Sequence, residues 1–90
     1  MRDAVCAALT LNLFHKHADK VVMANLAQTV NVLQSLLLTD GDTVIKTPTY
    51  HVFNMFKPFR GAESLFVLRQ SALISASAAQ RGNELIVSLV

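Results

Sequence analysis

Residues 23–32, MANLAQTVNV, carry an apolar run into a cluster of amide and hydroxyl side chains. Residues 21–27 lack the polar and apolar alternation of a half-buried strand, so the pattern predicts a parallel strand covered on both faces. Gln28, Thr29 and Asn31 then gather polar groups at its carboxyl end, where α/β folds bind ligands. A primary amide offers donors and an acceptor without charge, which suits vicinal hydroxyls on a neutral ligand. The same amide suits the backbone groups of a loop, and spacing alone leaves both readings open for Gln28 and Asn31.

Outward from this run, Asp3 is expected to cap a helix over residues 4–17, with basic groups in its last turn. Val5, Ala8, Leu9, Leu11 and Phe14 form its more apolar side, and Thr10 and Asn12 are the expected exposed positions. A short link, residues 18–20, leads into the strand. Helix, link and strand in that order make half of a βαβ unit, so the expected class is α/β. Beyond it, residues 33–38 end in the turn signal Thr39-Asp40-Gly41-Asp42, and residues 43–45 are expected to pair back as a hairpin. Thr47-Pro48 is a helix start, hydroxyl at the N-cap and proline at N1, and Pro58 stops that helix. Tyr50, Phe53, Met55 and Phe56 read as packing residues of it.

Past Arg60 the pattern changes. Residues 64–69 look extended, residues 71–78 alternate small polar with apolar positions, and Arg81-Gly82-Asn83 is a turn before a strand over residues 84–90. This predicts a domain boundary near residues 60–63, with residues 1–60 in one domain and residues 61–90 opening an all-β second one.

The 90 residues are 52% hydrophobic, a high share for so small a surface, and the excess is expected of a piece whose faces are covered by further chain. Eight Lys and Arg give a formal charge of +2 without any cluster, so no nucleic-acid footprint follows. Apolar runs fall well short of the roughly 20 residues a membrane span needs. Asp3 and Asn12 break the start as a secretion signal, which points to a cytoplasmic protein, although a true N-terminus further upstream is expected. The single Cys6 reads as a small buried hydrophobe.

Little else points to chemistry. Asp3, Asp19, Asp40, Asp42, Glu63 and Glu84 form no facing carboxylate pair, and Asp40-Gly41-Asp42 lacks the remaining ligands of a calcium loop. His15 and His17, two apart on a helix, do not share a face and read as solvated imidazoles. His51, in the first turn of the second helix, reads as a surface or packing residue. No metal and no organic cofactor is expected.

Residues 8–57, and within them HADKVVMANLAQTVNVL (17–33) and TPTYHVF (47–53), resemble the late barrel region of family 51 glycoside hydrolases, the α-L-arabinofuranosidases. The tail LISASAAQRGNELIVSLV (73–90) is similar, less specifically, to that family's C-terminal β-sandwich. The resemblance implies the last β/α unit of a (β/α)8 TIM barrel followed by strands of a β-sandwich. It implies an exo-acting retaining hydrolase of terminal α-L-arabinofuranosyl groups on arabinoxylan, arabinan or arabino-oligosaccharides (EC 3.2.1.55), working by double displacement with two glutamates. Both glutamates lie upstream in the family and neither Glu63 nor Glu84 matches them, so no catalytic residue is expected here and the chain alone is expected to be inactive. Gln28 matches the glutamine of the AQ-x-VNV motif that contacts the sugar at the cleavage subsite; Asn31 matches a residue that shapes the loop, or more weakly touches substrate. The implied partners are an arabinose-containing saccharide and copies of the parent, as a hexamer, with no nucleic acid or membrane. Two other readings stand beside this one. The parent could be a related retaining barrel glycosidase of another sugar specificity, or the chain a non-catalytic interaction module presenting Leu36, Leu37, Leu38 and Phe53.

Overall fold

The computed structural model describes residues 1–26, 29–33, 35–67 and 73–90. Helix α1 (Arg2–Lys16) is followed by an irregular stretch, a hairpin of β1 (Leu37–Asp40) and β2 (Thr43–Lys46), and helix α2 (Pro48–Met55). A 3-10 turn (Lys57–Phe59) then leads to a sheet of β3 (Glu63–Leu65), β4 (Ala76–Arg81) and β5 (Glu84–Leu89). Both sheets are antiparallel: β1 faces β2 with Leu37 opposite Lys46, and β4 lies between β3 and β5. The described architecture is therefore α+β, and the parallel sheet expected from residues 21–27 is absent from it. Residues 21–26 form no strand, and Val22 is 99% and Met23 75% exposed. A parallel strand exists only through ladder bonds to neighbours, and the described residues offer this segment none.

Local signals from turns and caps fared better. Each hairpin has a two-residue connection with glycine first, Gly41 and Gly82 both at φ +60, the placement that lets the turn twist match the strands. Thr47 Oγ1 accepts from the Tyr50 backbone N–H at 3.2 Å, and Pro48 occupies the first helical turn. The same hydroxyl donates towards the carbonyls of Ser35 (2.8 Å) and Leu36 (3.1 Å). Thr47 thus caps α2 and ties the preceding loop to it. Thr47→Val keeps the shape and deletes both functions; the expected loss is about 1–2 kcal/mol, read as a lower urea midpoint at unchanged m-value.

Helix α1 begins earlier than expected, at Arg2, and Met1 rather than Asp3 holds the N-cap position with no side-chain cap. Asp3 lies inside the first turn, where its charge still complements the dipole, and meets Arg2 at 3.8 Å on the surface. The core is small. Ala4 and Ala8 of α1 and Val52 of α2 are buried, flanked by Ala7, Leu11, Phe56 and Val90. Alanines at this crossing bring the helices close, and Val90, just past β5, packs against them.

Val5 and Leu9 of the expected apolar side are 44% and 43% exposed, and Cys6, expected inside, is exposed. Met55, read as packing, is 68% exposed. Of the proposed docking residues, Leu36, Leu37 and Phe53 are half-buried within the chain and Leu38 is exposed. The accessible surface is 6939 Å², against about 5,200 Å² for a self-contained monomer of this mass. The radius of gyration is 14.4 Å, against about 12 Å for a compact domain of this length.

Candidate functional site

The loop after residue 28 is built on backbone bonds to the hairpin. The Thr29 carbonyl accepts from the N–H groups of Leu36 (2.9 Å) and Leu37 (3.1 Å), and Asn31 N–H donates to the Leu37 carbonyl at 3.0 Å. Val30 and Leu37 form a single parallel bridge there. Asn31 takes φ +56, the left-handed region, where its short polar side chain is tolerated. That side chain forms a two-bond clasp: Nδ2 donates to Thr39 Oγ1 and the Thr39 N–H donates to Oδ1, each at 2.8 Å. Asn31 is exposed. Gln28 lies outside the described residues. Ser35 Oγ, buried under this loop, finds no partner among the described residues.

Among the described residues the most buried polar side chain lies elsewhere, on α1, against sequence expectation. Asn12 is 0% exposed. Its Nδ2 donates to Ser75 Oγ (3.1 Å), and its Oδ1 accepts from Ser77 Oγ (2.9 Å) on β4. His15 Nδ1 lies 3.0 Å from the same Ser77 Oγ, its ring stacked on Phe59 at 4.5 Å and tilted against Phe56 at 5.5 Å. The Ser64 hydroxyl donates to the His15 carbonyl at 2.8 Å. His15 is thus half-buried rather than solvated, and burial holds its imidazole below the ordinary value of 6.5. The signal was in the sequence: Ala4, Ala8 and Asn12 recur every four residues, so the amide continues the buried alanine stripe, and His15 follows three residues on.

A histidine beside a serine suggests a nucleophile, but the Ser77 proton is committed to Asn12 Oδ1 and Ser77 is 3% exposed. Neither access nor base activation is provided. The other histidines and the acids assemble nothing: His51 is exposed with its ring edge-on to Tyr50 at 5.4 Å. No group of His, Cys, Asp and Glu among the described residues could hold a metal ion, and no described helix is long and apolar enough to cross a membrane.

The chain is 51% identical over 65 residues to the intracellular exo-alpha-L-arabinofuranosidase of Bacteroides ovatus, a match over 72% of this chain and 13% of that protein. It is 39% identical over 59 residues to the probable alpha-L-arabinofuranosidase C of Aspergillus clavatus, over 66% of this chain and 12% of that one. The crystal structure of the GH51 arabinofuranosidase from Xanthomonas axonopodis pv. citri superposes with a TM-score of 0.82 at 38% identity, covering 98% of this chain and 20% of that one. The chain thus spans between an eighth and a fifth of the length of these relatives. The family model for the alpha-L-arabinofuranosidase C-terminal domain matches residues 1–85, and to that family this chain belongs.

Proposed function

We propose that this chain is the C-terminal part of an exo-acting, retaining α-L-arabinofuranosidase, which hydrolyses terminal α-L-arabinofuranosyl groups of arabinoxylan, arabinan or arabino-oligosaccharides. The observation that carries this is the 51% identity with the Bacteroides ovatus enzyme. In this reading residues 1–60 supply the last strand and helix of the (β/α)8 barrel and residues 61–90 open the C-terminal β-sandwich. Exposed Val22 and Met23 would then pair with barrel strands outside these residues, which accords with an accessible surface about a third larger than the ~5,200 Å² expected of a self-contained monomer. Gln28 contacts the arabinofuranosyl unit and Asn31 sets the course of the loop around it. Both catalytic glutamates come from upstream sequence, so the chain by itself is inert. The parent works in the cytoplasm as a homo-oligomer, a hexamer by family likeness.

The test is reconstitution. The Bacteroides ovatus enzyme is truncated before its matching segment and joined in frame to this chain, and hydrolysis of an aryl α-L-arabinofuranoside is followed. The expected result is no activity from either part alone and turnover from the fusion. A fusion that folds yet hydrolyses an aryl β-D-xylopyranoside faster than the arabinofuranoside would favour another sugar specificity. A folded fusion without glycosidase activity would sink the assignment.

A further inference from the structure

Two consecutive peptide planes of the loop before β1 are held at both ends, by Thr47 on one side and by the Thr29 carbonyl on the other. In the first, the Ser35 carbonyl accepts from Thr47 Oγ1 at 2.8 Å and the Leu36 N–H donates to the Thr29 carbonyl at 2.9 Å. In the second, the Leu36 carbonyl accepts from both Thr47 Oγ1 and the Thr47 N–H at 3.1 Å. Its Leu37 N–H donates to the same Thr29 carbonyl, also at 3.1 Å. A trans peptide unit is rigid and its C=O and N–H point opposite ways, so each plane transmits the position of Thr47 to Thr29. Bonds at the two ends of a plane also polarise one another. Thr47 itself stands on a fixed base: Val52 of α2 is buried with Ala4 and Ala8 of α1 in the core.

We propose that Thr47 is a positioning residue for the hydrolytic reaction, fixing Thr29 through these two planes and so aiming Gln28, the next residue along the chain. This rests on the hydrolase reading above and on Gln28 as its sugar contact. Thr47 does not act by touching the sugar. Its single hydroxyl proton is shared between the carbonyls of Ser35 and Leu36, and its oxygen accepts from the Tyr50 N–H at 3.2 Å. Without that proton the Ser35 carbonyl loses its donor from Thr47, and the Leu36 carbonyl keeps only the Thr47 N–H. The Thr29 carbonyl is then held by planes with slack at their far ends. A contact made in the transition state is sensitive to such slack, since a misplacement of about 1 Å can cost about 100-fold in rate.

The test uses the fusion with the Bacteroides ovatus enzyme, assayed on an aryl α-L-arabinofuranoside well below the melting temperature of each variant. Thr47→Val deletes the proton and the cap of α2. Thr47→Asp keeps an oxygen to cap α2 but, ionised at neutral pH, has no proton for the loop carbonyls, so it separates positioning from helix stability. Both are expected to lower kcat about 10-fold with little change in KM, and Thr47→Ser, which keeps the hydroxyl, to retain the parent kcat. In a Gln28→Ala background, Thr47→Asp is expected to cost less than about 2-fold more, because the group being aimed is gone. The fall in melting temperature from Thr47→Val is expected to be the same in both backgrounds. A full additional loss in the double variant, or parent activity in Thr47→Asp or in Gln28→Ala, would overturn the positioning role while leaving the hydrolase reading in place. A folded fusion inert in every form would instead sink that reading, and this role with it.

Discussion

Asn12→Ala is expected to cost about 2–3 kcal/mol, because truncation removes a partner of buried Ser77 and of half-buried Ser75 as well as its own bonds. Ser77 Oγ, 3% exposed, would lose the acceptor of its proton and keep only His15 Nδ1, at 3.0 Å, which accepts it in the Nε2–H tautomer, and the half-buried Ser75 Oγ would lose a donor. Each stranded buried group costs about 1–3 kcal/mol, and the void left by the amide adds to this. A 90-residue chain has roughly 5–13 kcal/mol in total, so a single amide would carry a large share. The described core behind it is only Ala4, Ala8, Val52 and Ala79. Guanidinium unfolding followed by far-ultraviolet circular dichroism reads the loss. Thr10→Ala is the control: its hydroxyl donates to the Cys6 carbonyl on the exposed side, and its removal is expected to stay within about 0.5 kcal/mol. Equal midpoints for the two variants would mean that the helix is not held to the sheet by this amide.

Asn12 also shows where sequence reading stopped. Capping and turn chemistry are written in adjacent residues, so the Thr47-Pro48 helix start and the glycine-first hairpins could be read directly. The polarity of Asn12 argued for solvent, but its position on the Ala4–Ala8 stripe argued for burial, and position won because Ser75 and Ser77 satisfy it. Those partners lie 63 and 65 residues away, beyond any local window. The stretch at residues 21–26 forms no strand in this chain for the opposite reason. Its apolar composition describes what a barrel strand needs, but a strand is a property of a pair, and the described residues contain no partner. The family resemblance was legible in the motifs at residues 17–33 and 47–53, because it depends on residue identity rather than on the ladder.

In the reconstituted fusion, Gln28→Ala is expected to lower kcat/KM about 5–150-fold, the effect of losing about 1–3 kcal/mol of hydrogen bonding in a closed subsite. The loss belongs mainly in kcat. A contact to the ring that is distorted on the way to an oxocarbenium-like transition state strengthens as the reaction proceeds. Asn31 separates the two roles open to a polar residue in this loop. Its clasp to Thr39 engages both the amide nitrogen and the amide oxygen, and its backbone sits at φ +56. Asn31→Gly keeps the left-handed backbone and deletes the clasp; Asn31→Val deletes the clasp and adds about 1–2 kcal/mol of left-handed strain. If Asn31 acts by shaping the loop, the defects are graded, valine worse than glycine, and both lower the unfolding midpoint. If it touches the sugar, glycine and valine fall equally in kcat, as Gln28→Ala does, while the midpoint follows the backbone strain alone. The clasp geometry favours the graded outcome, since a side chain committed at both ends to Thr39 has its orientation fixed by the hairpin.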